Sequence, residues 1–572
     1  MEAAGLFPNR DQNISVEERF PSHPGPNEEM SSNQDNNENG AQGDNFEDPS
    51  QLWKVPNPEK DGTQGIHLQN MNKDSRRSRK NWETWLCRSV ARERPELCAY
   101  GSQCLYKHDI QEFLAMKPPD LGDRCVAFET FGKCPSGVAC RFSKAHLGED
   151  YKNLVNVDLW KQWEGKQVKN RLSEELFKKV QTTKFSLDRF VEYMLAAPMS
   201  RCAEGPGGHA SADTTAVRTS GTVTDEDIVR LRPCEKRKLD FRDKLYLSPL
   251  EKFSKIPFRR ICKQFGADIT CTEKLMCDHL INGKMPPWTR LERHHTEDVF
   301  GVQLIDTAPT DMIRCAELIQ QTVEVDFMEV CVDNTSHMLH NEGEGSKELD
   351  HNFRWKLEGM NYVLDVPLAL KMCTGNSQRL LPQQIIPSLR DCGVSLVTLY
   401  GQTKLKKNKK KSVDLGYIAD CARIASPMPL FGNRDIYSFE DFNLAMASGV
   451  SGVLITREAL IKPWIFTEIK EQRHWDISAR ERLEMLNDFI KHSLEFWGSD
   501  DANVERIRQS LLEWLSYLCR YVPVGTVEHL PPNINDKPGP YVYGDYLENL
   551  MASQEKEDWI KISNMFLGPR PE

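Results

Sequence analysis

Between residues 240 and 458 the chain places eight short apolar runs in succession. They are KLYLSPL (244–250), ADITCTE (267–273), FGVQLID (300–306), VDFMEVCV (325–332), PLALKMCTG (367–375), VSLVTLYG (394–401), MPLFGNRD (428–435) and SGVLITRE (451–458). Amphipathic segments such as TDMIRCAELIQQ and SFEDFNLAMASG stand between several of them. Strands that alternate with helices call for a parallel sheet, and eight such units predict a (β/α)8 TIM barrel. An open doubly wound sheet is the alternative. It would lead us to expect G-x-G-x-x-G after the first strand, and that motif is absent.

The flanks differ in kind. Residues 1–80 are rich in Asn, Glu, Ser, Pro and Gly and poor in aliphatics. Such a segment cannot bury enough surface to offset chain entropy, so disorder is expected there. Residues 81–148 carry a cysteine–histidine cluster. Residues 149–239 read as a helical and flexible linker, with small residues dominating 201–223. The barrel is expected over 240–462. Beyond it, 463–572 reads as a helical domain, with apolar residues recurring at three and four, as in SLLEWLSYL.

A chain of 572 residues predicts several domains. No run of about 18 apolar residues occurs, so no membrane span is expected. The start, MEAAGLFPNR, lacks an apolar core, so secretion is not expected and the predicted location is cytoplasmic and/or nuclear. The 17 cysteines then read as thiols or metal ligands rather than a disulfide framework. The net charge of −10 argues mildly against nucleic acid, but SRRSRK (75–80) and KLKKNKKKS (404–412) are locally basic, and local patches govern phosphate binding. The run Lys404–Lys411 reads equally as a solvated loop or import signal and as a phosphate clamp.

Cys87, Cys98, Cys104 and His108 form C-x10-C-x5-C-x3-H, and Cys125, Cys134, Cys140 and His146 form C-x8-C-x5-C-x5-H. Three soft thiolates and one imidazole are what tetrahedral zinc takes, so two CCCH zinc fingers holding two Zn ions are expected. Buried structural thiols are the alternative. So short a segment, with so little aliphatic content, needs a metal to fold. Fingers of this kind bind single-stranded RNA by stacking bases on exposed rings. Tyr100, Tyr106, Phe128, Phe131 and Phe142 are interleaved with Lys107, Lys133 and Arg141, although zinc packing competes for these rings.

Two such fingers followed by LRPCEKRKLDF, LYLSPL, IPFRRICKQFGADIT, EDVFGVQL, PLFGNRDI and KPWIFTEIKEQRHWDIS resemble the zinc-finger-bearing eukaryotic tRNA-dihydrouridine synthases, from about residue 81 to 568. The resemblance implies a TIM barrel that binds FMN, NADPH as reductant, and hydride transfer to C6 of a tRNA uridine with a cysteine protonating C5. It also implies that the fingers and the helical domain hold tRNA. Pro249, Gln303 and Lys371 match residues around the family's flavin ring. Asn433, Arg434 and Asp435, with Thr456 and Arg457, fall in its two phosphate-binding turns.

The match is uneven at the chemistry. The family's fourth-strand N-V-G-C-P reads Cys331, Val332, Asp333, Asn334, Thr335, so Asn334 stands where the proton-donating cysteine belongs. The family's K-x-R-T-G lacks its arginine here, since Cys373 follows Met372; H-G-R begins at Tyr400 without its histidine; N-G-D carries Arg434; and A-R-G ends in Glu458. An amide has no proton to release, and general acid catalysis contributes roughly 10²–10⁴ in rate. The expectation is therefore a tRNA-binding member with impaired or lost turnover and doubtful FMN retention. An active synthase and a zinc-finger RNA-binding adaptor are the other readings. Outward-pointing side chains at 434 and 458 would leave weak FMN binding possible.

Overall fold

The computed structural model describes residues 84–98, 100–163, 168–182, 185–197, 236, 238–332, 349–373, 381–400, 415–433, 436–523 and 545–569. All of them lie within the compact unit Trp53–Glu572.

Eight parallel strands close a barrel in chain order: β1 (Lys244–Leu247), β2 (Ile269–Cys271), β3 (Val299–Ile305), β4 (Phe327–Val332), β5 (Leu368–Cys373), β6 (Val394–Tyr400), β7 (Leu430–Asn433) and β8 (Gly452–Ile455). Seven of the expected apolar runs contain one of them, and β3 begins one residue before its run. The seam is β8 on β1, with Val453 opposite Leu245 and Ile455 opposite Leu247. Alternation sorts the side chains. Leu245, Val302, Val330 and Leu370 join the large cluster under the surrounding helices. Tyr246, Ile269, Cys271, Phe327, Ala369, Leu396, Phe431 and Leu454 fill the interior. Two cross-strand pairs make room for its largest rings. A Cβ on Gly301 would lie 2.2 Å from the ring of Phe327, its register partner, and one on Gly452 would lie 2.5 Å from Phe431, its own partner. The interior is thus a packed core, and chemistry is confined to the end above it.

The C-terminal helices share that core. Ser478 and Glu481 form a capping box that starts Ala479–Trp497. Asp500 caps Asp501–Leu518 through the N–H of Asn503. Trp514, fully buried, donates its indole N–H to the Leu460 carbonyl at 2.9 Å and meets Phe258 edge-on at 5.3 Å. Near its C-terminus the described chain forms two helices, Tyr546–Ala552 and Lys556–Leu567. Between them Ser553 accepts the N–H of Glu555 and donates to Asp558, local bonds that compete with a continuous helix.

The linker is partly built into the barrel shell. Helix Asp188–Ala196 receives Glu317 on its first N–H groups, at 3.0 and 2.7 Å, and Tyr193 donates to the Trp355 carbonyl. Val168–Lys169 pairs antiparallel with Arg293–His294, a contact no local sequence pattern signals. Among the described residues no helix is long and apolar enough to cross a membrane, and no cysteine is in a disulfide.

Candidate functional site

A buried carboxylate sits above the aromatic floor of the barrel. Glu329 faces inward from β4 and is fully buried. It accepts Gln303 Nε2 at 2.5 Å, the Tyr246 hydroxyl at 3.1 Å and the Thr398 hydroxyl at 3.3 Å. These partners come from β3, β1 and β6, so one acidic group ties three other strands together. Burial, with the Cys271 thiol and Glu329 beside it, pushes the Tyr246 phenol up, and burial pushes the Cys271 thiol up as well. Both hold their protons at neutral pH. Sequence reasoning did not single out Glu329. The available signal was a charged residue at an inward position of the apolar run VDFMEVCV.

Gln303 turns its amide N–H₂ toward Glu329. Its carbonyl Oε1 is left buried without a hydrogen-bond partner. Two strands away, Lys371 of β5 donates to the Ser248 hydroxyl at 2.6 Å, and its ammonium lies 5.9 Å from the centre of the Tyr400 ring. Cys331, almost fully buried, continues the inward series Phe327 and Glu329 and is the register partner of Lys371. Gln303, Cys331 and Lys371 therefore stand on three consecutive strands toward their C-terminal ends.

At the seam, Pro249 follows β1, half-buried, while Thr456 and Arg457 follow β8. The Ser248 N–H bonds the Ile455 carbonyl and holds the two ends together. Asn433 closes β7 opposite Tyr400. Glu458 does not point outward. It is 3% exposed, and its Oε2 accepts the backbone N–H of Thr456 at 2.7 Å. The outward-pointing alternative is corrected for this residue: a backbone donor at the start of the helix captures the side chain. Asn334, Arg434, Asp435 and Lys404–Lys411 lie outside the described residues.

The sites expected to hold metal are formed by the expected residues. Within each set, Cys87, Cys98, Cys104 and His108, and Cys125, Cys134, Cys140 and His146, the ligand atoms lie within 4.8 Å of one another. Sulfur pairs stand at 3.8 Å (Cys87–Cys98) and 3.9 Å (Cys125–Cys140). Two thiolates, each about 2.3 Å from a tetrahedral centre, would be about 3.8 Å apart. Both nitrogens of the buried His146 ring lack a hydrogen-bond partner, as a metal ligand facing thiolates would. Zinc fits both sites. The first is the more open, with His108 exposed and Cys98 and Cys104 half-buried; the second is buried throughout.

A flavin meets a divided site. The ring end fits, since Gln303 offers an unpartnered acceptor and Lys371 a cation. At the phosphate end, the β8 turn carries the buried Glu458 side chain on the Thr456 N–H, which places an acidic group beside any anion bound there.

A closed parallel barrel with a polar cluster at one end and two Cys₃His sites defines a zinc-finger-bearing (β/α)₈ protein. Residues 246–518 match the dihydrouridine synthase family, and residues 117–149 match the DUS3L CCCH zinc finger domain. The chain is 47% identical over 504 residues to a tRNA-dihydrouridine(47) synthase-like protein of Xenopus tropicalis, covering 86% of this chain and 78% of the relative. It is 47% identical over 514 residues to the Homo sapiens counterpart, covering 85% and 79%. An Arabidopsis thaliana counterpart is 33% identical over 577 residues, covering 85% of this chain and 83% of the relative. The chain belongs to the dihydrouridine synthase family.

Proposed function

We propose that this chain is a tRNA-binding member of the family in which reduction of uridine to dihydrouridine is impaired or lost. One observation carries the reading: Asn334 occupies the position of the family's proton-donating cysteine. Uracil reduction needs a hydride on C6 and a proton on C5. A thiol can supply that proton near neutral pH and a carboxamide cannot. The Glu458 carboxylate on the Thr456 N–H supports the same reading, because it opposes an FMN phosphate there.

In this reading the fingers (81–148) hold two zinc ions and, with the helical domain (463–572), grip tRNA. The barrel (240–462) presents Gln303 and Lys371 to whatever ring enters. FMN and NADPH belong to the ancestral reaction. When bound, FMN would supply the hydride. Pro249, Gln303 and Lys371 would line its ring, and Asn433, Arg434, Asp435, Thr456 and Arg457 would have to hold its phosphate. The competing reading is an active synthase, favoured by the orphaned Gln303 carbonyl, which suits a ring N–H. The chain would act in the cytoplasm, the nucleus or both.

The test combines turnover with binding. Purified full-length chain is incubated with unmodified tRNA, FMN and NADPH, and dihydrouridine is read by mass spectrometry. The same tRNA is titrated at several salt concentrations. We expect binding whose affinity falls with salt, since phosphate contacts do not depend on a proton donor, and negligible product. Efficient product would establish the active synthase. Affinity no better than a neutral control protein would sink the tRNA-binding role.

A further inference from the structure

The second finger is closed by a residue from the helical region. Helices Ala479–Trp497 and Asp501–Leu518 are joined by Gly498, Ser499 and Asp500. The Cys140–Arg141 segment lies along this turn: Cys140 forms an antiparallel bridge with Asp500, and the Arg141 N–H donates to the Ser499 carbonyl at 2.8 Å. The Ser499 N–H donates to the Ser136 hydroxyl at 3.0 Å, and Arg141 pairs with Asp501. The Ser499 hydroxyl, buried, lies 2.9 Å from Cys140 Sγ and 3.6 Å from Cys134 Sγ.

Metal-bound thiolates carry no proton, so the hydroxyl must donate, and Cys140 is the nearer acceptor. The Phe142 N–H reaches the same sulfur at 3.2 Å. A thiolate buried away from water needs such donors, because charge without them is costly to bury. Hydrogen bonds to ligand atoms tune how tightly a metal is held, and their loss typically costs 10–100-fold in metal affinity.

We propose that Ser499 is a positioning residue of the second zinc site, so that this zinc fastens the finger to the α-helical region rather than folding the finger alone. The inference rests on the zinc reading of Cys125, Cys134, Cys140 and His146 and adds to it a donor from a distant part of the chain. Its consequence is two zinc ions of unlike lability. The first exchanges through its open side, and the second is retained until the 498–501 turn opens.

The test uses the zinc-loaded full chain and a chromophoric chelator. We expect two release phases, the fast one missing from Cys104→Ser. Ser499→Ala should speed the slow phase by about 10–100-fold and leave the fast phase unchanged; Ser499→Thr, which keeps the hydroxyl, should fall between. With cobalt(II) at the second site of Cys104→Ser, adding Ser499→Ala should shift the sulfur-to-metal charge-transfer band. An unchanged slow phase together with an unshifted band would overturn the inference. Absence of metal from the second site would instead defeat the zinc reading. If Ser499→Ala does not fold, hydrogen exchange on the unaltered chain decides. Stripping zinc should expose the Ser499 and Arg141 amides together, and protection that survives stripping would refute the proposal.

Discussion

The carboxylate of Glu458 accepts the backbone N–H of Thr456, two residues before it, at 2.7 Å. This bond occupies a donor at the mouth of the barrel with the protein's own negative charge. Buried and satisfied, the carboxylate is held in place rather than free to swing to solvent.

Restoring the thiol alone should not restore turnover. Asn334→Cys supplies an acid, but Asp333 directly precedes it, and a neighbouring carboxylate raises a thiol's pKa. Groups that act as a unit recover little when repaired singly. We expect negligible dihydrouridine from Asn334→Cys. Measurable product is expected only when Arg434→Gly, Glu458→Gly and Tyr400→His are added. Glu458→Gly by itself should tighten FMN binding, read by quenching of flavin fluorescence. Robust product from Asn334→Cys alone would show the cofactor site to be intact.

The Glu329 network should be a stability element of the barrel. Glu329→Leu would strand the Gln303 amide, the Tyr246 hydroxyl and the Thr398 hydroxyl. Each buried group left unpaired costs about 1–3 kcal/mol, so with three such groups a total loss of about 3–9 kcal/mol is expected. Glu329→Gln keeps an acceptor and should lose much less. Denaturant midpoints distinguish the two, and equal midpoints would refute the assignment.

Elemental analysis should find two zinc ions per chain. Cys104→Ser should remove one of them and unfold the first finger locally, because structural zinc supplies folding energy there. The main thermal transition, dominated by the barrel, should move little. Retention of both ions would contradict the ligand assignment.

Acid should weaken the fold through two buried histidines. Burial, reinforced by Arg260, lowers His492 to about 3 and His294 to about 2. The unfolded chain takes up protons below its pKa of about 6.5 while these folded sites do not, so stability falls as pH drops below that value. The loss stops once the folded sites protonate. From pH 7 to 5 each site contributes up to about 2 kcal/mol of destabilisation. His492→Gln should flatten the decline in denaturation midpoint over that range; an unchanged slope would count against it.

The eight barrel strands were legible in the chain as short apolar runs separated by amphipathic segments, because strands covered on both faces stay apolar throughout. The two Cys₃His sets that the fold gathers were legible as well, because thiol and imidazole spacing within a short loop is local information. Other features were decided by the tertiary structure. That Glu458 turns inward depends on where the Thr456 N–H points. That Glu329 is tolerated among apolar residues depends on donors from three other strands. That the helices after residue 545 are two follows from Ser553 and its partners. Ser499 reaches Cys140 across 359 positions of chain. Such contacts are set by the closure of the barrel and the packing of helices upon it, and chain neighbours carry no record of which distant groups that packing brings within hydrogen-bonding distance.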